Sequence, residues 1–292
     1  MKKNIWLIAI FFFFSSCEKD INFNLKNADN VLVVDAEIES DKYPTVVLTK
    51  SLDFFSTINP QLLEGSFVHN ADVKISNGML THTLKETAVP LPGGYTAYFY
   101  AVDENNLPTA FKGEFNKKYT LAINAEGKAY TATTTIPILA KHPDSLWFKP
   151  APQNPDPNTR VLMATTTDPV GLGNYIRYFT KKNDGFFLPG ENSVFDDAVI
   201  DGTTYTVQVE PGIDRNNPVK ADSNFFKKGD VVTLKLCNID KATYTFWSTW
   251  EFAFQSIGNP FSQPNKVIGN VSNGALGAFC GYAAWYKTIV AE

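Results

Sequence analysis

The sequence predicts a mainly all-β chain: an immunoglobulin-like sandwich followed by a second β-rich domain. Three observations carry that reading. Short apolar segments broken by turn residues recur from Val31 to Ile136, at the spacing of a sandwich. Tyr119, Leu121 and Ile123, and later Tyr205, Val207 and Val209, alternate with polar or small residues, which gives a strand one buried face. A hydrophobic content of 44% is enough to build cores and argues against a disordered chain.

Residues 1–16 have the layout of a lipoprotein signal peptide. Lys2 and Lys3 open it, Ile5 to Phe14 is uninterruptedly apolar, and the small residues Ser15 and Ser16 precede Cys17. The apolar run is about half of the roughly 20 residues a spanning helix needs. Cys17 is the expected lipidation site, although Phe14 stands where Leu, Val or Ile is more usual. Two or three acyl chains on one cysteine hold a protein to a membrane durably, whereas a single chain does not. Residues 17–29 read as a tether. Within it, Glu18-Lys19-Asp20 resembles the export tags that send Bacteroidota lipoproteins to the outer face of the outer membrane. The expected location is therefore the outer membrane, by a lipid anchor and with exposure at the cell surface.

The first domain is expected over 30–140. Its strands are Val31–Ile38, Thr45–Ser51, Asp72–Ser76, Leu80–Leu84, Gly94–Tyr100, Tyr119–Ala125 and Tyr130–Ile136. Asn77-Gly78 signals a hairpin, because both residues tolerate the positive φ of a tight primed turn; Glu126-Gly127 marks a second turn. Residues 141–160 hold Pro143, Pro150, Pro152, Pro155 and Pro157, which predicts a linker, with Ser145–Phe148 as a short edge strand inside it. The second domain, 161–292, has strands at Val161–Thr166, Asn174–Thr180, Thr203–Glu210 and Val231–Cys237. Lys241–Gln255 is ambiguous. Its even-numbered aromatics suit a strand, whereas Trp247, Trp250 and Phe254, with Asp240 as N-cap, suit a helix.

The chain carries 26 basic and 30 acidic residues, and no basic run follows the leader, so nucleic acid is not an expected partner. With Cys17 assigned to lipid, Cys237 and Cys280 remain, either as a disulfide or as two buried thiols. Catalytic patterns are absent. His69, His82 and His142 form no His-Glu-x-x-His pair, and His82 is expected to face solvent from its strand. There is no Gly-x-Ser-x-Gly elbow and no phosphate-binding glycine loop. Asn154, Asp156 and Asn158 alternate like calcium-loop ligands, but Pro155, Pro157 and Thr159 break the pattern. Asp196, Asp197 and Asp201 read as a solvated acidic loop rather than a cation site, so no metal and no cofactor is expected. Thirty acids form many carboxylate pairs by chance, which gives pairing for glycoside hydrolysis no weight. Aromatic residues, at 14%, are abundant; Phe186, Phe187, Phe225 and Phe226 are candidate ligand or partner contacts.

Several stretches, in order, resemble the Bacteroidota lipoproteins of domain-of-unknown-function family 4249. They are Cys17, Val33–Ile38, Pro44–Ser51, Ala71–Ile75, Tyr119–Ile123, Gly127–Tyr130, Ala242–Trp247, Gly269–Gly274 and Leu276–Phe279. The resemblance implies that the segment near 240–255 is a helix packed on the second domain, and that the first domain is a transthyretin-like sandwich of the kind used as an accessory module. It carries no catalytic residue. It also implies a TonB-dependent outer-membrane transporter as partner, since members are often encoded beside one. The expected function is a non-enzymatic binding or accessory lipoprotein. The alternatives are a structural or adhesive surface lipoprotein and a surface hydrolase with an unfamiliar site.

Overall fold

Alternation of apolar and polar side chains sorts the first half of the chain into strands. The computed structural model describes residues 30–52, 57–91, 94–152, 154–215, 225–259 and 265–292; the leader, Cys17 and the tag Glu18, Lys19 and Asp20 lie outside them. The first elements are β1 (Leu32–Glu39), β2 (Thr45–Lys50), α1 (Pro60–Ser66), β3 (Asp72–Ser76), β4 (Thr81–Leu91), β5 (Tyr95–Ala101), β6 (Lys117–Ala125) and β7 (Lys128–Ile136). Then follow β8 (Pro143–Pro150), β9 (Thr159–Thr167), β10 (Tyr175–Lys182), β11 (Leu188–Phe195), β12 (Thr204–Val209), β13 (Phe226–Lys227), β14 (Val231–Ile239), α2 (Lys241–Gln255) and β15 (Leu276–Val290). The chain is mainly β and sandwich-like, as its patterning requires.

The two turns differ. Glu126 (φ 51°) and Gly127 (φ 76°) are both left-handed and join Ala125 to its partner Lys128, a two-residue primed turn. At Asn77-Gly78 the hairpin is longer, because Ser76 pairs with Thr81. There only Gly78 of the two has positive φ (89°), and the Asn77 side chain accepts the N–H groups of Met79 and Leu80 at 3.0 and 2.8 Å. The short helix α1 starts on Pro60, with Asn59 accepting from the Leu62 N–H at 2.8 Å.

One mixed sheet of eleven strands runs β11-β10-β14-β15-β1-β2-β5-β4-β3-β6-β7. Its second half rolls over so that β7 lies against β15, where Gly281 passes so close to Thr135 that an added Cβ would sit 2.8 Å from the carbonyl oxygen. The roll encloses a first core that includes Val34, Ile38, Leu48, Ile75, Tyr119, Leu121, Ile123 and Phe279. A smaller sheet orders β12-β9-β13, with β8 on the other edge of β9, and packs on β10 and β14 around Leu162, Phe226, Val232 and Leu234.

Two departures from the sequence reading have plain causes. The stretch expected as a linker contains β8, whose prolines stand at its two ends on an edge strand, where a missing N–H costs no ladder bond. The C-terminal β15 has no period-two signal because Ala278–Ala283 is buried on both faces, between two cores. Leu276–Tyr282 pairs in parallel with β1, and Ala283–Val290 pairs antiparallel with β14. The boundary expected at 141–160 is thus bridged by a strand belonging to both halves. Helix α2 resolves the ambiguous segment. Asp240 caps it by accepting from Thr243 N at 2.8 Å; along it Trp247 meets Trp250 edge to face, and Trp250 stacks on Phe254. No helix among the described residues is long and apolar enough to cross a membrane.

Candidate ligand cavity and its charged surroundings

The two facing sheets of the second half do not close on each other. Between them lies a cavity of about 500 Å³, within the size range of small-molecule sites. The large sheet contributes Ile176, Tyr178, Leu234 and Leu236; the small sheet contributes Ala164, Thr166, Tyr205, Val207 and Val209. The alternation Tyr205, Val207, Val209 that marks β12 as a strand is therefore also what lines this wall. β11 and β12 are the terminal strands of their sheets, and the loop after β11, with Asp196, Val199 and Ile200, borders the space between them. Phe195 and Val207 are partly open to solvent here, at 45% and 42% exposure.

Polar groups are few. Tyr178, stacked on Phe195, reaches inward; burial, with the Glu210 carboxylate beside it, raises its pKa, so it is a neutral phenol. Gly190 makes room for that ring, since a Cβ there would sit 2.0 Å from the Tyr178 hydroxyl. Asn192, Gln208, Glu210 and Asp196 complete the polar rim, and Asp196 already accepts the Tyr244 hydroxyl at 3.0 Å. Among the described residues the lining contains no histidine, cysteine, serine, lysine or arginine. It can orient a guest by hydrogen bonds, but it has no nucleophile–base pair of the familiar kind.

Behind Tyr205, the fully buried Lys141 sits 5.2 Å from the ring centre and pairs with Asp168 at 2.5 Å. On the other face of the large sheet, under α2, runs a buried polar network. Glu251 accepts from Ser193 N (3.0 Å), Ser193 Oγ (2.5 Å) and Arg215 (2.8 Å). Arg177 lies 3.4 Å over the Trp247 ring and donates to Ser193 Oγ and to the Tyr282 hydroxyl, at 3.2 and 3.0 Å. Further along this face Glu39 is held by Lys235, Tyr286 and Lys42. Burial would push the Glu39 carboxyl up, but the Lys235 ammonium and these hydrogen bonds outweigh it and hold the pKa low. Asp35 and Glu37, on the same face of β1, reach solvent yet are so hemmed in by protein that burial raises both.

The residues singled out by sequence scatter. Cys237 and Cys280 are free and buried, which corrects the disulfide option. Cys237 is opposite Ala284, four residues along β15 from Cys280, or about 13 Å at strand rise, well beyond the reach of a disulfide. Burial pushes each thiol up to about 12. Of the four phenylalanines, Phe186 is 87% exposed, while Phe226 is 1% exposed, in the second core against Phe148. Phe187 packs on Tyr286, and Phe225 packs against the cluster of Ala151, Val161 and Met163. None of the four lines the cavity. His82 does not face solvent; it is buried and bonds Thr109 at 2.9 Å, and burial lowers its pKa. Nor is the loop with Asp196, Asp197 and Asp201 uniformly solvated. Asp197 is 3% exposed, since its carboxylate gathers the N–H groups of Gly173 and Asn174.

Fold and cavity define a mainly β chain built on one mixed sheet of eleven strands and a smaller sheet, with a guest-sized space between the two. The chain belongs to the family described as DUF4249, a domain of unknown function, whose model matches residues 18–287. No curated protein matches it.

Proposed function

We propose that this protein is a lipid-anchored outer-membrane accessory protein, of the Bacteroidota type, that holds an apolar small ligand between its two facing sheets and works beside a TonB-dependent transporter. One observation carries the reading: a cavity of about 500 Å³, apolar over most of its wall and with a few polar groups at its rim. The lack of a recognisable acid–base set in that lining favours binding over hydrolysis. Anchoring rests on Cys17 and the sequence before it, and the transporter on family resemblance.

Each part has its own test. Val207→Trp fills the cavity from an edge strand. In the full chain carrying Cys17→Ala, free of detergent, it should weaken binding of the apolar dye anilinonaphthalene sulfonate at least tenfold. Equal dye binding by the filled variant would refute the cavity as the site. Cys17→Ala should move the protein from the membrane to the soluble fraction, and its persistence in membranes would refute the anchor. Cross-linking of the intact lipoprotein in cells should recover a TonB-dependent transporter; recovery of no outer-membrane protein would refute the partnership.

A further inference from the structure

Three carboxylates converge beside the cavity wall. Asp168 leads the loop after β9, and Asp197 and Asp201 bracket the turn after β11; one oxygen from each lies within 4.8 Å of the others. The backbone holds them there. Asp168 N donates to Thr203 O at 2.9 Å, and Ile200 N and Asp201 N both donate to Asp197 O at 3.0 Å. Asp197 takes the N–H groups of Gly173 and Asn174, each at 2.9 Å, and the Asn174 side chain at 3.2 Å. Asp201 takes Gly171 N at 2.6 Å.

Those bonds alone would describe an ordinary polar turn. Asp168 does not fit that description. It is 2% exposed and gives one oxygen, Oδ1, to Lys141. Its other oxygen, Oδ2, is buried with no hydrogen-bond donor among the described residues. A buried carboxylate oxygen without a partner is costly, and native structures seldom leave one so. Charge points the same way: among the described residues the one ion pair at the three carboxylates is Lys141 with Asp168, which leaves a surplus equal to the charge of a divalent cation.

We propose that the loops 168–174 and 196–201 form a binding site for a hard divalent cation, Ca²⁺ by preference, with Asp168, Asp197 and Asp201 as ligands and Asp168 Oδ2 the oxygen the ion satisfies. The donor set is oxygen alone, which disfavours zinc. Oxygens within 4.8 Å of one another fit within a Ca²⁺ shell, about 5 Å across at 2.3–2.6 Å per bond, and Ca²⁺ accepts irregular carboxylate sets, whereas Mg²⁺ demands near-ideal octahedral geometry. The ion would also brace the turn that carries Asp196, Val199 and Ile200 to the cavity. The site stands whether or not the cavity holds a guest.

The test is calorimetric titration of the chelator-stripped full chain with CaCl₂, alongside thermal melting. One Ca²⁺ should bind per chain, MgCl₂ should give no comparable heat, and Tm should rise by about 5 °C at a hundredfold excess over Kd. Asp201→Asn alters an exposed ligand, so the fold should survive, and Ca²⁺ affinity should fall at least tenfold. Asp144→Asn, an exposed carboxylate on the adjoining β8 bonded to Thr167, should bind like the parent. The proposal is overturned if the parent gives neither heat nor a Tm shift. Equal binding by Asp201→Asn, or an equal loss in Asp144→Asn, overturns it too.

Discussion

Asp240 joins the two halves of the protein through one carboxylate, and removing it should be felt in both. Its Oδ1 caps α2 by accepting Thr243 N at 2.8 Å, and its Oδ2 accepts Thr135 N at 2.8 Å and Thr134 Oγ1 at 3.1 Å from β7. Replacing an N-cap aspartate by alanine costs ~1 kcal/mol. Leaving the Thr135 N–H without its acceptor adds about 1 kcal/mol, the lower end for a lost partner, since Thr135 is half-buried. Asp240→Ala should therefore destabilise the chain by about 2 kcal/mol and lower Tm by roughly 5 °C. Asp240→Asn keeps one acceptor oxygen, enough for the cap, but turns an NH2 donor toward Thr135 N, and should lose roughly half as much or more. Urea and thermal unfolding followed by circular dichroism read both variants. If Asp240→Ala lies within about 0.5 kcal/mol of the parent, the bridge contributes nothing. If Asn is as stable as the parent, the separate roles assigned to Oδ1 and Oδ2 are wrong.

Gly190→Ala places a methyl 2.0 Å from the Tyr178 hydroxyl; it should cost about 1–3 kcal/mol by overpacking and alter cavity binding, both readable by urea unfolding and dye titration. Glu37→Gln tests the acidic strand β1. Because the folded pKa of Glu37 is raised, the folded state holds this proton more tightly than the unfolded one. The penalty is then full above the folded pKa and disappears below the unfolded value, about 4.3. The variant should melt higher than the parent at pH 8, with the gap shrinking toward pH 4; a gap independent of pH would refute the argument. Cys237 and Cys280, with thiols pushed up to about 12 inside the core, should resist Ellman's reagent in the native protein and react fully in denaturant, and a reductant should leave Tm unchanged.

Local pattern made much of the fold legible. Asp72–Ser76 is a strand with the bounds its alternation implies, and the β6–β7 hairpin follows from Tyr119, Leu121 and Ile123 closed by Glu126-Gly127. What pattern hides is burial on two sides and pairing across long separations. β15 has no polar face to alternate with. β11 carries Pro189, Gly190, Asn192 and Ser193, poor strand formers that the neighbouring β10 holds in place. The candidate site was half visible. Tyr205, Val207 and Val209 announce a buried face, but nothing in them says that the opposing sheet stands off to leave a space. Asp168 carries no motif; its meaning comes from Asp197, Asp201 and Lys141, each more than twenty residues away in sequence. The exposed aromatics pointed elsewhere, since Phe186 stands in solvent and Phe226 is core.

The shared strand has a consequence in time. β1 is among the first elements made, and its parallel neighbour β15 is the last, roughly 240 residues later. Until Leu276–Val290 emerges, β1 has an open edge, the first core lacks Phe279 and Ala283, and β14 has β10 on one side but nothing on the other. Neither half can finish before β15 is made. The nascent protein would thus pass through synthesis and any translocation with its sheet unclosed, an edge to be shielded by helpers, and a chain lacking only its last strand would lose both cores together.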